Sequence, residues 1–166
     1  MTASGSARPF VPSDFPVPGE LVTAQFRLEP LGPQHNAADY DAWTSSMAHI
    51  RATPGFPDGR WPREMTPGEN LGDLRRHAKD FAARTGFTYT VLDPGGRVVG
   101  CVYIYPTKDR AAGVAGVQSW VRADRAELDV PLYDAVSAWL ANAWPFMEVR
   151  YASRAGGGGG TAGAGA

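Results

Sequence analysis

Between Phe87 and Arg154 the sequence spells strand, tight turn, strand, strand, helix, strand, with so little chain between the parts that few folds accommodate it. Phe87, Tyr89 and Val91 alternate with Thr88, Thr90 and Leu92, and Val98 to Tyr105 answers them across Asp93-Pro94-Gly95-Gly96, which carries the residues a hairpin turn needs. Val114 to Val121 reads as a third strand, and the apolar content of all three predicts a sheet covered on both faces. Asp129, ahead of Val130-Pro131, is placed to cap a helix whose buried stripe is Leu132, Val136, Trp139, Leu140 and Ala143, and Pro145 ends it. Phe146 to Tyr151 closes the run as a short strand. Such a crossover predicts parallel strands and a right-handed connection. It also aims a helix N-terminus, with unpaired N–H groups and the positive dipole end, at one point beside the third strand, a point that suits an anionic group such as phosphate.

Upstream, residues 1–20 contain Pro9, Pro12, Pro16 and Pro18 and predict an extended arm, with Phe10 and Phe15 as its anchors. Leu21 to Leu28 is expected as a single first strand closed by Pro30. His35, Tyr40, Trp43, Met47 and Ile50 recur at steps of three to five residues, which predicts one or two short helices over the sheet. Thr53 to Arg63 is dense in Pro and Gly around Phe56 and Trp61 and predicts an irregular loop of the kind that borders pockets. Thr66-Pro67-Gly68-Glu69 is a helix start, since Thr66 and Glu69 can satisfy each other's backbone N–H groups and Pro67 needs no donor there. Leu71, Leu74, Ala78 and Phe81 share one face of that helix, and Gly86 is expected to stop it. The Gly and Ala run of residues 155–166 has nothing to bury and is expected to be disordered.

Composition narrows the partners. A chain of 166 residues with 43% hydrophobic content supports one domain with its own core, residues 21–154. Sixteen basic against seventeen acidic residues leave a formal charge of −1, which argues against nucleic acid and anionic membranes and for a small molecule. Cys101 is the single cysteine, and no Cys and His cluster has the spacing of a zinc site, so no metal is expected. No run approaches the ~18 apolar residues of a membrane span, and the N-terminus lacks a signal-peptide core, so a cytoplasmic location is expected.

Taken from Leu21 to Arg154, the order of elements resembles the GNAT superfamily of N-acyltransferases. The resemblance is carried by Thr88-Tyr89-Thr90-Val91-Leu92-Asp93 with Val99-Gly100-Cys101-Val102-Tyr103-Ile104 in the hairpin, and by Trp120-Val121-Arg122 at the loop. It implies an α/β (α+β) fold with a mixed, mostly antiparallel central sheet flanked by helices on both faces, and acetyl-CoA as cosubstrate. In that family one strand offers backbone groups to the pantetheine arm, and a loop of the form Gln or Arg, x, x, Gly, x, Gly or Ala wraps the pyrophosphate. By resemblance, Ser119, Trp120, Val121, Arg122, Ala123, Asp124 and Arg125 are the cofactor-binding residues. The loop departs from the pattern: Arg125 stands at the Gly position and Glu127 at the last small one. A non-Gly residue resists the positive φ of a tight anion nest, and carboxylates beside a pyrophosphate are unfavourable. Arg125 can instead bind phosphate directly, or Arg122 and Arg125 can pair with Asp124, Glu127 or Asp129 on a solvated turn; the two readings stand evenly. Members of the family usually continue with a helix and two strands, which this chain is expected to lack. The edge this leaves at Phe146 to Tyr151 predicts a homodimer that pairs or shields it.

Acyl transfer to an amine of pKa near ~10.4 needs a base or a water chain, and the candidates are Glu148 and His49, ahead of Asp93, His35 and His77. Trp61, Tyr103 and Tyr105 are the candidate lining of an acceptor pocket, while Trp43 and Trp120 read as core. Two functions follow from this reading. One is transfer of an acetyl group from acetyl-CoA to the amine of a small molecule; the other is a non-catalytic GNAT-like ligand-binding or dimerisation module.

Overall fold

The structure, a computed structural model, describes residues 8–56 and 60–154. Residues 1–7 of the expected arm, Pro57 and Gly59 of the expected loop, and the expected tail 155–166 lie outside the described residues. Six strands lie in sequence order across one sheet: β1 (Leu21–Val22), β2 (Arg27–Pro30), β3 (Phe87–Leu92), β4 (Val98–Pro106), β5 (Val114–Val121) and β6 (Glu148–Tyr151). Every neighbouring pair is antiparallel except β5 with β6, which is parallel, as the crossover through the helix requires. The sheet is therefore mixed and mostly antiparallel, as expected.

The expected first strand is two. Thr23 folds the chain back within it: its Oγ1 accepts from the N–H groups of Gln25 and Phe26, and Leu21 then pairs with Leu28. Pro30 does not close the strand from outside but is its last residue, opposite Tyr89.

Helices cover both faces. α1 (Asn36–Thr44), α2 (Met47–Arg51) and α3 (Pro67–Ala83) pack Ala42, Trp43, Ile50 and Leu74 against Cys101 and Trp120. α4 (Asp129–Ala143) packs Leu132, Val136, Trp139 and Leu140 against Tyr89, Val102 and Val117 on the other face. The N-terminal arm lies on that second face: Phe10 stacks on Phe87 at 5.9 Å, and the Tyr89 hydroxyl donates to Pro18 O at 2.6 Å. α3 starts at the expected box, with Thr66 Oγ1 accepting from Glu69 N–H at 3.0 Å and Glu69 Oε1 from Thr66 N–H at 2.8 Å. It ends earlier than expected. Arg84, at φ 63°, takes the left-handed cap, and Gly86 is there for a different reason: a Cβ on it would lie 2.0 Å from the Tyr105 ring.

Candidate functional site

The site to be judged is the corner where β5 outruns its partner. The parallel ladder joins Val114 to Glu148 and ends with Val117 beside Tyr151, so Gln118–Val121 extend past β6 by roughly 13 Å. In the resembled family a strand offers backbone groups to the pantetheine arm and the following loop takes the pyrophosphate. Here the gap between β5 and β6 is bridged by side chains and by loop residues remote in sequence. Arg154, just beyond β6, turns its guanidinium into it with 2% of the side chain exposed. Its Nη2 donates to Ser119 O (2.9 Å) and Oγ (3.2 Å), its Nη1 to Ala152 O (2.9 Å) and Pro54 O (3.3 Å), and its Nε to Asp129 Oδ2 (2.8 Å). Tyr151 Oη and Ser119 Oγ share a hydrogen bond of 2.6 Å, and Gln118 Nε2 donates to Gly55 O at 2.6 Å. The gap is thus stitched from β5, from the end of β6 and from the loop before residue 57.

In the turn after β5 the backbone donors of Arg122, Ala123, Arg125 and Asp129 are taken. Ala123–Leu128 is a pair of 3-10 turns kinked at Arg125, at φ −130°, and it leads directly into α4. Arg122 N–H donates to Val99 O at 2.8 Å, Ala123 N–H to the buried Ser46 Oγ at 2.8 Å, Arg125 N–H to Arg122 O at 3.0 Å, and Asp129 N–H to Ala126 O. Asp129, expected to cap the helix, begins it instead, and Leu128 stands at the cap position without a side-chain capping bond. Its carboxylate meets the positive end of α4 and is held there by Arg154, in the place suited to an outside anion.

The charges at the corner are already paired. Arg122, its side chain 8% exposed, donates to Asp41 Oδ2 and Asp124 Oδ1, both at 3.1 Å; Arg97 adds Asp124 Oδ2 at 3.0 Å; Arg125 takes Asp93 Oδ2 at 3.1 Å and Glu127 Oε2 at 2.9 Å. With Arg154 and Asp129, four guanidiniums meet five carboxylates. The Arg122 guanidinium holds the Asp124 carboxyl below the usual carboxylate range, Arg125 does the same for Glu127, and the Arg97 N–H does so for Asp93. All three stay ionised at neutral pH, which is unfavourable ground for a diphosphate.

The remaining candidates scatter. Glu148 opens β6 opposite Val114, roughly 23 Å along the strand from Val121, and pairs with Arg150 at 2.8 Å on an exposed face. His49 sits half-exposed in α2, its carbonyl accepting from Thr53 Oγ1. Trp61 and Tyr103 do come together, 6.4 Å apart, but Trp61 also meets Trp43 at 5.4 Å and Trp120 at 6.1 Å, so these rings fill the space a pocket would need. Tyr103 is half-buried and its hydroxyl accepts from Trp120 Nε1; desolvation pushes that hydroxyl and the buried Cys101 thiol well up. Tyr105 lies further along β4, donating to Asp80 Oδ2 at 2.9 Å beside His77, whose pKa burial pushes down to about 4. Trp43 and Trp120, read as core, are 1% and 0% exposed. Sequence reasoning did not single out Arg154, Asp41 or Ser46. No periodicity marks them, since each acts on a residue dozens of positions away.

No protein-family model matches the chain, and no curated protein matches its sequence. Solved structures match in fold. The ribosomal-protein-S5-alanine acetyltransferase of Vibrio fischeri superposes with a TM-score of 0.58 at 10% identity, over 73% of this chain and 66% of its own. RimL, a ribosomal L7/L12 alpha-N-protein acetyltransferase solved with coenzyme A, gives 0.57 at 10% identity over 73% and 64%. The microcin C7 self-immunity acetyltransferase MccE, solved with acetyl-CoA and AMP, gives 0.53 at 7% identity over 72% and 66%. The chain has the fold of the GNAT acetyltransferases. It spans 63% to 66% of the length of the three Vibrio and RimL structures it matches at similar scores. The residues present do not fit coenzyme A in the gap between β5 and β6: the N–H groups of Arg122, Ala123 and Arg125 have partners, the helix end holds Asp129, and Arg154 turns into the space between.

Proposed function

We propose that this chain is a non-catalytic GNAT-fold module, one that acts through binding or self-association and does not draw acetyl-CoA into its β5–β6 gap. The observation that carries the reading is Arg154, bonded at once to the Ser119 carbonyl and to Asp129 at the start of α4. A cofactor entering here has to displace a buried guanidinium from its partly exposed carboxylate partner and from the Ser119 carbonyl, a loss that its own contacts must first offset. Calorimetric titration with acetyl-CoA to millimolar concentration tests this. The expected result is no saturable heat for the parent, for Arg122→Ala or for Arg125→Ala; saturable binding by the parent that Arg122→Ala weakens rejects the proposal.

A second reading is favoured by the likeness in fold: N-acetyl transfer from acetyl-CoA to the amine of a small molecule. It asks Arg154 and Asp129 to leave the gap and leaves the base unassigned. Release of free coenzyme A on mixing the chain with acetyl-CoA and a panel of amines establishes that reading; the absence of release above the uncatalysed rate rejects it.

A further inference from the structure

Among the described residues β6 is the last strand of the sheet, and no strand pairs with its outer edge. Met147 N–H and Glu148 N–H both donate to Gly113 O, at 2.8 and 3.1 Å, and the ladder sets Glu148, Val149, Arg150 and Tyr151 beside Val114, Ala115, Gly116 and Val117. In a parallel ladder each residue points both backbone groups to one side, and the side alternates along the strand. Glu148 and Arg150 therefore direct theirs at β5, while Val149 and Tyr151 direct theirs outward. Met147, next to this edge, is 89% exposed. An edge of this kind is a template for another strand.

We propose that β6 pairs antiparallel with β6 of a second copy of this chain, about a two-fold axis at Val149, so that one sheet runs across both copies. Charge selects that register. A symmetric pairing that uses the outward groups can centre on Glu148, Val149, Arg150 or Tyr151; the last puts half of the ladder beyond the end of β6, and centring on Glu148 sets that carboxylate opposite itself. Centring on Arg150 sets that residue opposite itself, and like charges directly opposite are destabilising. Centring on Val149 sets Glu148 opposite the partner's Arg150 and Arg150 opposite the partner's Glu148, with Met147 opposite the partner's Tyr151. Both charges are available, with side chains 54% and 47% exposed. Their present contacts, Glu148 with Arg150 at 2.8 Å and Arg150 with Asp109 at 3.3 Å, are surface pairs that contribute little and are readily shared. An edge of four residues is small, so the dimer belongs to the weak, concentration-dependent class. The inference is independent of whether the β5–β6 gap takes a cofactor.

Light scattering on the full chain, from dilute to millimolar, tests it. The mass is expected to rise from 17.7 kDa toward twice that value. Glu148→Arg and Arg150→Glu should each weaken the dimer by roughly tenfold or more, and the double exchange should restore it, because only this register makes the two charges reciprocal. Val149→Pro removes an outward N–H without touching the β5 ladder and should leave a monomer with unchanged circular dichroism. A monomer at millimolar chain, a dimer indifferent to Val149→Pro, or a double exchange that does not restore association overturns the proposal.

Discussion

Arg150 and Arg154 lie four residues apart, one within β6 and the other three residues beyond it, and their surroundings are opposite. Arg150 flanks the paired part of β5, where the backbone ladder is complete; its guanidinium, 47% exposed, pairs with Glu148 and Asp109 over solvent. Arg154 stands where the ladder has run out, is 2% exposed, and supplies the hydrogen bond to Ser119 O that a neighbouring strand would otherwise give. The difference teaches how this molecule treats the gap of its fold. Where strand pairing stops, side chains complete the backbone, and a place suited to a ligand's donors and acceptors becomes part of the core's own hydrogen bonding.

Removing each guanidinium in turn breaks the comparison most sharply. Arg154→Ala is expected to lower unfolding free energy by about 1.5–3 kcal/mol, because it orphans the Ser119 carbonyl and removes the partner of the partly exposed Asp129. Arg150→Ala, in dilute chain, should change it by no more than about 0.5 kcal/mol. Urea denaturation of both variants measures the contrast, and equal effects contradict it. Asp39 supplies the next test, a buried carboxylate that has no guanidinium. It is 4% exposed, accepts from Asn70 Nδ2 at 3.1 Å, and burial pushes its pKa up to about 6. A carboxyl raised in the folded state opposes folding once it ionises, so stability is lost as pH rises from about 4 to about 6. Asp39→Asn should therefore gain up to about 3 kcal/mol at neutral pH and show no gain at pH values below the ordinary carboxylate range. A gain independent of pH sinks that account. Ser46→Ala, which orphans the Ala123 N–H, should cost about 1–2 kcal/mol in the same assay.

The parts of the fold set by neighbours in sequence were legible there. The Thr66 and Glu69 box, the Asp93 to Gly96 turn, and the Asp129 to Pro145 helix between β5 and β6 all appear at or near their expected places. What misled was local chemistry with two solutions. Thr23 turns the chain with its hydroxyl where no Gly or Pro signals a turn, and Arg84 takes the left-handed cap while Gly86 makes room for Tyr105. The sequence also left two fates open for Arg122 and Arg125, phosphate or internal carboxylates, and the structure pairs both internally. The closure of the gap was out of reach, since Arg154 meets Ser119 and Asp129 across 35 and 25 residues with no pattern to announce it.

The most direct test of the closed gap is a crystal structure of the parent chain grown with millimolar acetyl-CoA. The account predicts Arg154 Nη2 still on Ser119 O, Nε still on Asp129, and Ala123 N–H still on Ser46. A diphosphate seated against the Ala123 to Arg125 backbone, with Arg154 and Asp129 turned aside, contradicts it.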